Sequence, residues 1–418
     1  MITKGSVRFF ADICASIAIF MTSFSYALTL LGRSFTSAGL TAYIRYGMFI
    51  FLVAGALLYY ITFPKLSKKL LLLIIAILLL AALSCLNANN LDIFLSQGLF
   101  IELAMNLFLC LIICAISNLD LVYRICVILG RILIVLFGAI VIIGNPSESY
   151  MAFGYRLLLP SVIVLHNGLY FQKRLDTLLG FVGGVLILIC GSRGAALVFC
   201  ISIVLYTVIM GKLKQKAGII CIAAVAGIIF YMAGEKIVLL ALEQLNNYGF
   251  RARTLYKIVN STIMSDSQRL QGYRYYIDLF GSSWRTTLFG LGMAGERFYS
   301  MRDLWYVQNY GYPHNLLIEL YLHYGIAGGT IAIIAILKRI GIAIDRQIPD
   351  KPRLISVALF ACLFQLMMSS SYIQSDFFFL FIAWSFLCEK QLKEKESKNT
   401  EATQNVGGNL ACEAEKHL

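Results

Sequence analysis

From residue 10 to residue 388 the chain returns repeatedly to apolar runs of roughly 17 to 25 residues, the length that crosses a hydrocarbon core of about 30 Å. No other feature constrains the fold as strongly. Backbone N–H and C=O groups in lipid must be satisfied by the backbone itself, so such runs fold as helices unless strands close into a barrel. The alternating strands and aromatic girdles of a membrane barrel are absent. With 59% hydrophobic and 14% charged residues, the chain lies far from the roughly 25% charged composition of soluble domains. It reads as an all-α, polytopic helical membrane protein.

Taken in order, the runs predict twelve spans. Nine fall within residues 1–234, and the last of these covers 217–234. A large loop follows at 235–312, then three more spans within 313–388, then a polar tail at 389–418 expected to be disordered. The start MITKGSVRFF has no small-residue cleavage site after its apolar run and is expected as the first span, about 10 to 32, not as a removed signal. Most of the eleven cysteines sit inside apolar runs, and there is no CxxC. Small buried hydrophobes, not disulfides or metal ligands, are expected. No metal and no cofactor is expected.

The basic excess, 35 Lys and Arg against 22 Asp and Glu, would suit nucleic acid in a soluble protein. Here its distribution matters more than its sum. With the N-terminus inside, the inner segments (1–9, FPKLSKK, Arg124, QKRLD, GKLKQK, LKRIGIAIDRQIPDKPR and the tail) hold 21 of the 35 basic residues, as the positive-inside rule requires. Both termini come out cytoplasmic, the loop 235–312 external, and no nucleic-acid partner is implied.

The outer side carries eleven arginines against only Lys236 and Lys257. A guanidinium offers a planar fork of donors to phosphate and keeps its charge when partly desolvated, so the set points to an anionic ligand. Individual members also have acidic neighbours to pair with, among them Glu296 and Asp303. Arg156 lies inside a span, in MAFGYRLLLP, four residues before Pro160. A charge there needs a partner or a water-filled cavity. Arg193, in CGSRGAAL, sits where one span ends outside and the next begins, beside the first free N–H groups of a helix. Arg131 is assigned to snorkelling or to a pair between helices.

Within the loop, LEQLNNYGFRARTLYKIV and SQRLQGYRYYIDLFGSSW are expected as helices near the membrane surface. The second projects Arg269 and Arg274, while Leu270, Tyr273, Ile277 and Phe280 pack down. The stretch GLGMAGERF is a glycine-spaced turn that folds the loop back over the bundle, not a nucleotide fingerprint, since neither strand nor P-loop lysine accompanies it. Next comes YGYPHNLLIELYLHYGIAGG. Pro313, His314 and Asn315 open a span at the outer surface, and Asn315, Glu319 and His323 share one face by i, i+4 spacing. Glu319 facing lipid would be costly, so that face is expected to look inward. His314, at a mouth lined by arginines, is expected to be functional; His323 is expected to be structural. The outer SSSYIQSD turn offers Ser369 to Ser371, Gln374 and Asp376 as polar lining.

The order GSRG, R-x-x-x-aromatic (Arg269 to Tyr273), LFGLG and PHNLLIELYLHYGIAGG resembles the O-antigen ligase and O-antigen polymerase superfamily of bacterial envelope proteins. The likeness covers about residues 180 to 340. It implies a glycosyltransferase of the polytopic, lipid-linked-sugar type (C-type), metal-independent, in the bacterial inner membrane with its site on the outer face. The implied donor is an oligosaccharide on undecaprenyl diphosphate. A flippase and a chain-length regulator are implied partners. Carried over by motif, Arg193, Arg269 and His314 are the expected catalytic set. Asn315 belongs to the same pair as His314, and Tyr273 stands where relatives often have tryptophan. Arg156, Arg274, Asn315, Glu319 and Tyr273 are expected to bind substrate. The aromatic-rich loop favours a polymerase over a ligase acting on lipid A core. A glycolipid transporter would instead show two similar halves and charges near the midplane.

Overall fold

A computed structural model describes residues 3–35, 38–63, 67–143, 150–190, 192–211, 239, 243–244, 267–303 and 311–416. Side chains are described for these except at 32–35, 38–42, 44–45, 150, 267–270 and 398–416. The expected ninth span and nearly all of the first loop helix fall outside the described residues. Every regular element within them is helical. In chain order these are α1 (Lys4–Ile19), α2 (Met21–Phe35), α3 (Ala38–Thr62), α4 (Lys68–Ser84), α5 (Ala88–Ser96), α6 (Leu99–Cys114), α7 (Leu119–Ile143) and α8 (Tyr150–Phe171). They continue as α9 (Arg174–Cys190), α10 (Arg193–Ile209), α11 (Ser267–Gly281), α12 (Trp284–Phe289), α13 (Gly295–Asp303), α14 (Leu316–Ala343) and α15 (Asp350–Leu363). Two 3₁₀ turns, Phe364–Met367 and Tyr372–Gln374, lead into α16 (Asp376–Lys416).

Among the described residues, α7 and α14 are each long and apolar enough to cross a membrane. Two bent pairs raise the number to four if each counts as one span: α1 with the first part of α2, bent by 62°, and α4 with α5, bent by 115°. The apolar pattern did not reveal these bends. The first expected span is broken at Phe20, which joins α1 to α2. Between α5 and α6 the helical run is interrupted where Gly98 adopts φ 65°, a left-handed conformation that ends helices. Asn87, accepting from the Asn89 N–H at 3.0 Å, caps α5 just after the α4 bend.

The bundle centres on α8, which packs against α7 and α9, while α6 lies along α16 and α1 along α3 and α7. Buried polar side chains tie these helices together. Arg131 of α7 forms a two-pronged pair with the buried Asp176 of α9, at 2.6 and 2.8 Å, so it is a helix pair and not a snorkelling residue. A second tie grows out of Pro160. Proline has no N–H, so the carbonyl four residues earlier loses its helical donor. That carbonyl belongs to Arg156, and the Ser23 hydroxyl of α2 donates to it at 2.6 Å. The Arg156 guanidinium meets both oxygens of Asp376 at the start of α16, at 3.1 and 3.2 Å, and Thr22 donates to the same carboxylate. Arg156 thus has an acidic partner.

Candidate active site

The site is organised by a break in α14. Asn315 caps this helix, its side-chain oxygen accepting from Leu317 N–H at 3.0 Å and Ile318 N–H at 3.3 Å. The helix therefore starts at Leu316, and Pro313 lies ahead of it, not in its first turn. The ladder is broken at Gly325, where φ is 67° and ψ −174°. Carbonyls before such a break need donors from elsewhere. The LFGLG turn supplies them: Leu291 N–H donates to the Leu322 carbonyl at 2.7 Å and Gly292 N–H to that of His323 at 3.1 Å. The approach leaves no room for side chains. A Cβ on Gly290 would lie 2.4 Å from the His323 oxygen, and one on Gly325 would lie 2.1 Å from the Leu288 oxygen. The glycine turn therefore folds the loop against α14.

Beyond that turn, α13 carries Glu296 and Arg297 into the interior, where they are 0% and 2% exposed. His323 Nε2 lies 2.6 Å from Glu296 Oε2 and 3.2 Å from the Ala294 N–H. A carboxylate only accepts, so a proton on Nε2 goes to Glu296. His323 Nδ1 contacts the Tyr372 hydroxyl at 2.8 Å, which in turn contacts that of Tyr324 at 2.7 Å. Glu319, fully buried, accepts from the Ser371 hydroxyl and from Tyr372 N–H at 3.3 Å. Arg297 donates to Gln97 at 2.7 Å and to Gln374 at 3.3 Å, and its Nε lies 3.8 Å from Glu296. Buried charges persist when paired and hydrogen-bonded; here the charges are paired, and Glu296 Oε1 and Arg297 Nε are left without hydrogen bonds. Glu296, Glu319 and His323 also present one ligand atom each within 4.8 Å of one another, so they are the described residues with metal-ligand spacing. Apart from Glu296 Oε1, their ligating atoms already have protein partners.

Next to the cluster, half-buried residues around Arg193 and His314 make up the expected mouth. Arg193 is the first residue of α10, after Ser192, whose side chain caps the helix by accepting from Ala195 N–H at 3.2 Å. Gly194 sits so close to α8 that a Cβ would lie 2.2 Å from the Tyr155 hydroxyl. Tyr155 is hydrogen-bonded to Ser369, whose carbonyl accepts from the Tyr312 hydroxyl at 3.3 Å. The Tyr312 ring lies 4.3 Å from that of His314, tilted by 57°, and under the Arg297 guanidinium at 5.1 Å. Burial pushes the Tyr312 phenol up to about 12, against the pull of Arg297, so it remains a donor near neutral pH. His314 has φ 51°, a left-handed backbone uncommon for residues other than glycine. The SRG turn and the PHN junction thus meet through Tyr155, Ser369 and Tyr312.

The expected residues divide accordingly. Arg193 and His314 reach this mouth, and Glu319 lies in the buried cluster beside it. Asn315 serves as the helix cap, and Arg156 is paired with Asp376 one residue after Tyr155. The others sit on α11. Tyr273 is half-buried and Arg274 exposed, whereas Arg269 lies on the helix with its side chain outside the described residues. Phe280 packs on Tyr321, while Ile277, expected to pack down, is 57% exposed. At the end of the loop Arg302 and Tyr275 hold the Asp303 carboxyl below its usual range. Sequence reasoning missed the partnership of Glu296, Arg297 and His323. The available signals were the i, i+4 relation of His323 to Glu319 and an adjacent charged pair following a glycine turn.

No curated protein and no solved structure matches the chain. Residues 178–333 do match a family, described as O-antigen ligase. The matched stretch contains the SRG turn, α11, the LFGLG turn, the PHN junction and the break in α14. Of the expected site residues only Arg156 falls outside it. The chain resembles the O-antigen ligase and O-antigen polymerase superfamily, and this match supports that assignment.

Proposed function

We propose that the protein is a surface-polysaccharide polymerase of a bacterial inner membrane. It moves a glycan from undecaprenyl diphosphate to the acceptor sugar of another lipid-linked repeat unit. In this reading the twelve expected spans cross the bilayer with both termini inside, and the mouth faces outward. One observation carries the reading: the Arg193 turn and the His314 junction, both within the family match, meet through Tyr155, Ser369 and Tyr312.

The departing lipid diphosphate gains negative charge in the transition state. Fixed guanidinium groups and helix N–H groups near a dry surface stabilise that charge without reorganising. In this reading Arg193 supplies this at the start of α10, and Arg269 and Arg274 of the loop helix and Arg156 of α8 add to it. His314 takes or orients the proton of the acceptor hydroxyl. Asn315 fixes the helix start that presents His314, Glu319 anchors that helix to the Ser371 turn, and Tyr273 offers a face to sugar.

The test is the glycan profile of a deletion strain carrying variants at normal protein levels. Arg193→Ala and His314→Ala should abolish polymer, and Arg193→Lys should impair it by removing the two-pronged phosphate contact. Full-length polymer from either alanine variant would overturn the assignment. The second reading, a ligase that passes the glycan to lipid A core, is favoured by the description of the matched family. The knockout separates the two. Single capped repeats mark a lost polymerase, and long polymer stranded on its carrier marks a lost ligase.

A further inference from the structure

A cavity of about 1040 Å³ lies between α4, α14 and α16, away from the mouth that holds His314 and Arg193. Its walls are apolar, with Leu73, Ile77, Ile331, Ile336 and Phe386 among them. Lys69 and Arg339 stand at one end, and Asn90, His323 and Tyr372 at the other. Along α4 from Lys69 to Ser84 it extends about 22 Å at a rise of 1.5 Å per residue. That exceeds half of a hydrocarbon core about 30 Å thick.

The charge at the Lys69 end is unbalanced. Glu389 accepts from Lys69, from Arg339 at 2.7 Å and from Lys393 at 3.2 Å. Burial opposes ionisation of Glu389, but hydrogen bonds from these three cations hold its carboxyl down at about 2. One carboxylate thus faces three cations, and a positive excess stands at the rim of an apolar channel. Arg339 is fixed there by stacking 3.7 Å over the Phe386 ring. A long apolar channel with a cationic rim at one end complements a molecule with one fatty chain and one anionic head.

We propose that this cavity binds an anionic phospholipid, its phosphate at the Lys69 and Arg339 rim and an acyl chain along α4 and α14. The chain would run past Phe289, Gly290 and Gly328, which also line the cavity, where the LFGLG turn meets the broken stretch of α14. The inference does not depend on the glycan chemistry proposed above.

Full-length protein, stripped of lipid in detergent, is titrated with phosphatidylglycerol or phosphatidylcholine, and bound lipid is counted by native mass spectrometry. Phosphatidylglycerol should bind in preference. Lys69→Gln and Arg339→Gln should each weaken it about fivefold, the effect of one basic residue near an anionic headgroup. Lys69→Arg should retain binding, and Ile77→Trp, which fills the channel, should lower it. Unchanged melting of each variant in lipid-free detergent shows that it is folded. Equal binding of the two lipids, indifference to all three neutral or bulky variants, or displacement of the lipid by millimolar inorganic phosphate would each overturn the proposal.

Discussion

Two helices of this bundle are interrupted, and they are repaired by different means. In α8, Pro160 removes one donor, and one side chain, Ser23, replaces it at the Arg156 carbonyl. In α14, Gly325 turns the backbone, and two N–H groups of the LFGLG turn replace the donors for Leu322 and His323. A charged pair stands beside each break. Arg156 and Asp376 are 32% and 10% exposed, while His323 and Glu296 are both 0% exposed. A side-chain repair beside a partly wet pair leaves the guanidinium able to exchange its partner for a ligand. A backbone repair beside a dry pair commits an entire loop to one position. The first break suits a site that opens, and the second suits the frame on which a site is built.

The sharpest way to break this comparison is to remove one acid from each pair. Glu296→Ala leaves His323 and Arg297 buried without their carboxylate, which should cost about 3–5 kcal/mol. Asp376→Ala should cost less, because the Arg156 side chain is 32% exposed where His323 and Glu296 are fully enclosed. Thermal unfolding in detergent reads both, and equal losses would show that the two pairs do not differ in kind. Next in size is Gly325→Ala. A positive φ imposed on alanine costs on the order of 1–3 kcal/mol, and its Cβ would meet the Leu288 oxygen besides. The loop should then detach, which proteolysis after residue 284 would detect. A Gly325→Ala protein as resistant as the parent would mean that the turn does not depend on the break.

The helical class was legible because apolar run length and satisfied backbone groups leave few alternatives in lipid. Arg156 was legible for the same reason: a charge at that depth has to have a partner, and Asp376 lay in a stretch already read as polar lining. The bends between α1 and α2 and between α4 and α5 were not legible, since apolar composition is nearly blind to direction. The motif order singled out Arg193 and His314, but the role of Asn315 as a cap became clear only with the helix start. Glu296, Arg297 and His323 were hidden for a physical reason. Their partnership depends on a backbone contact between two glycine segments about 35 residues apart, which no periodicity encodes.

The smallest expected effect tests the repair at Pro160 directly. Ser23 is buried, and its hydroxyl donates to the Arg156 carbonyl, so Ser23→Ala should cost about 1 kcal/mol, the usual net value of such a bond. If the hydroxyl matters because Pro160 lacks an N–H, the cost should depend on residue 160. In a Pro160→Ala background the alanine N–H becomes available to the same carbonyl, and Ser23→Ala should then cost close to nothing. A double-mutant cycle by thermal unfolding measures this coupling. Additive losses would mean that Ser23 holds α2 to α8 for reasons unrelated to the proline. In that case the side-chain repair, and with it the contrast with the backbone repair at Gly325, would have to be given up.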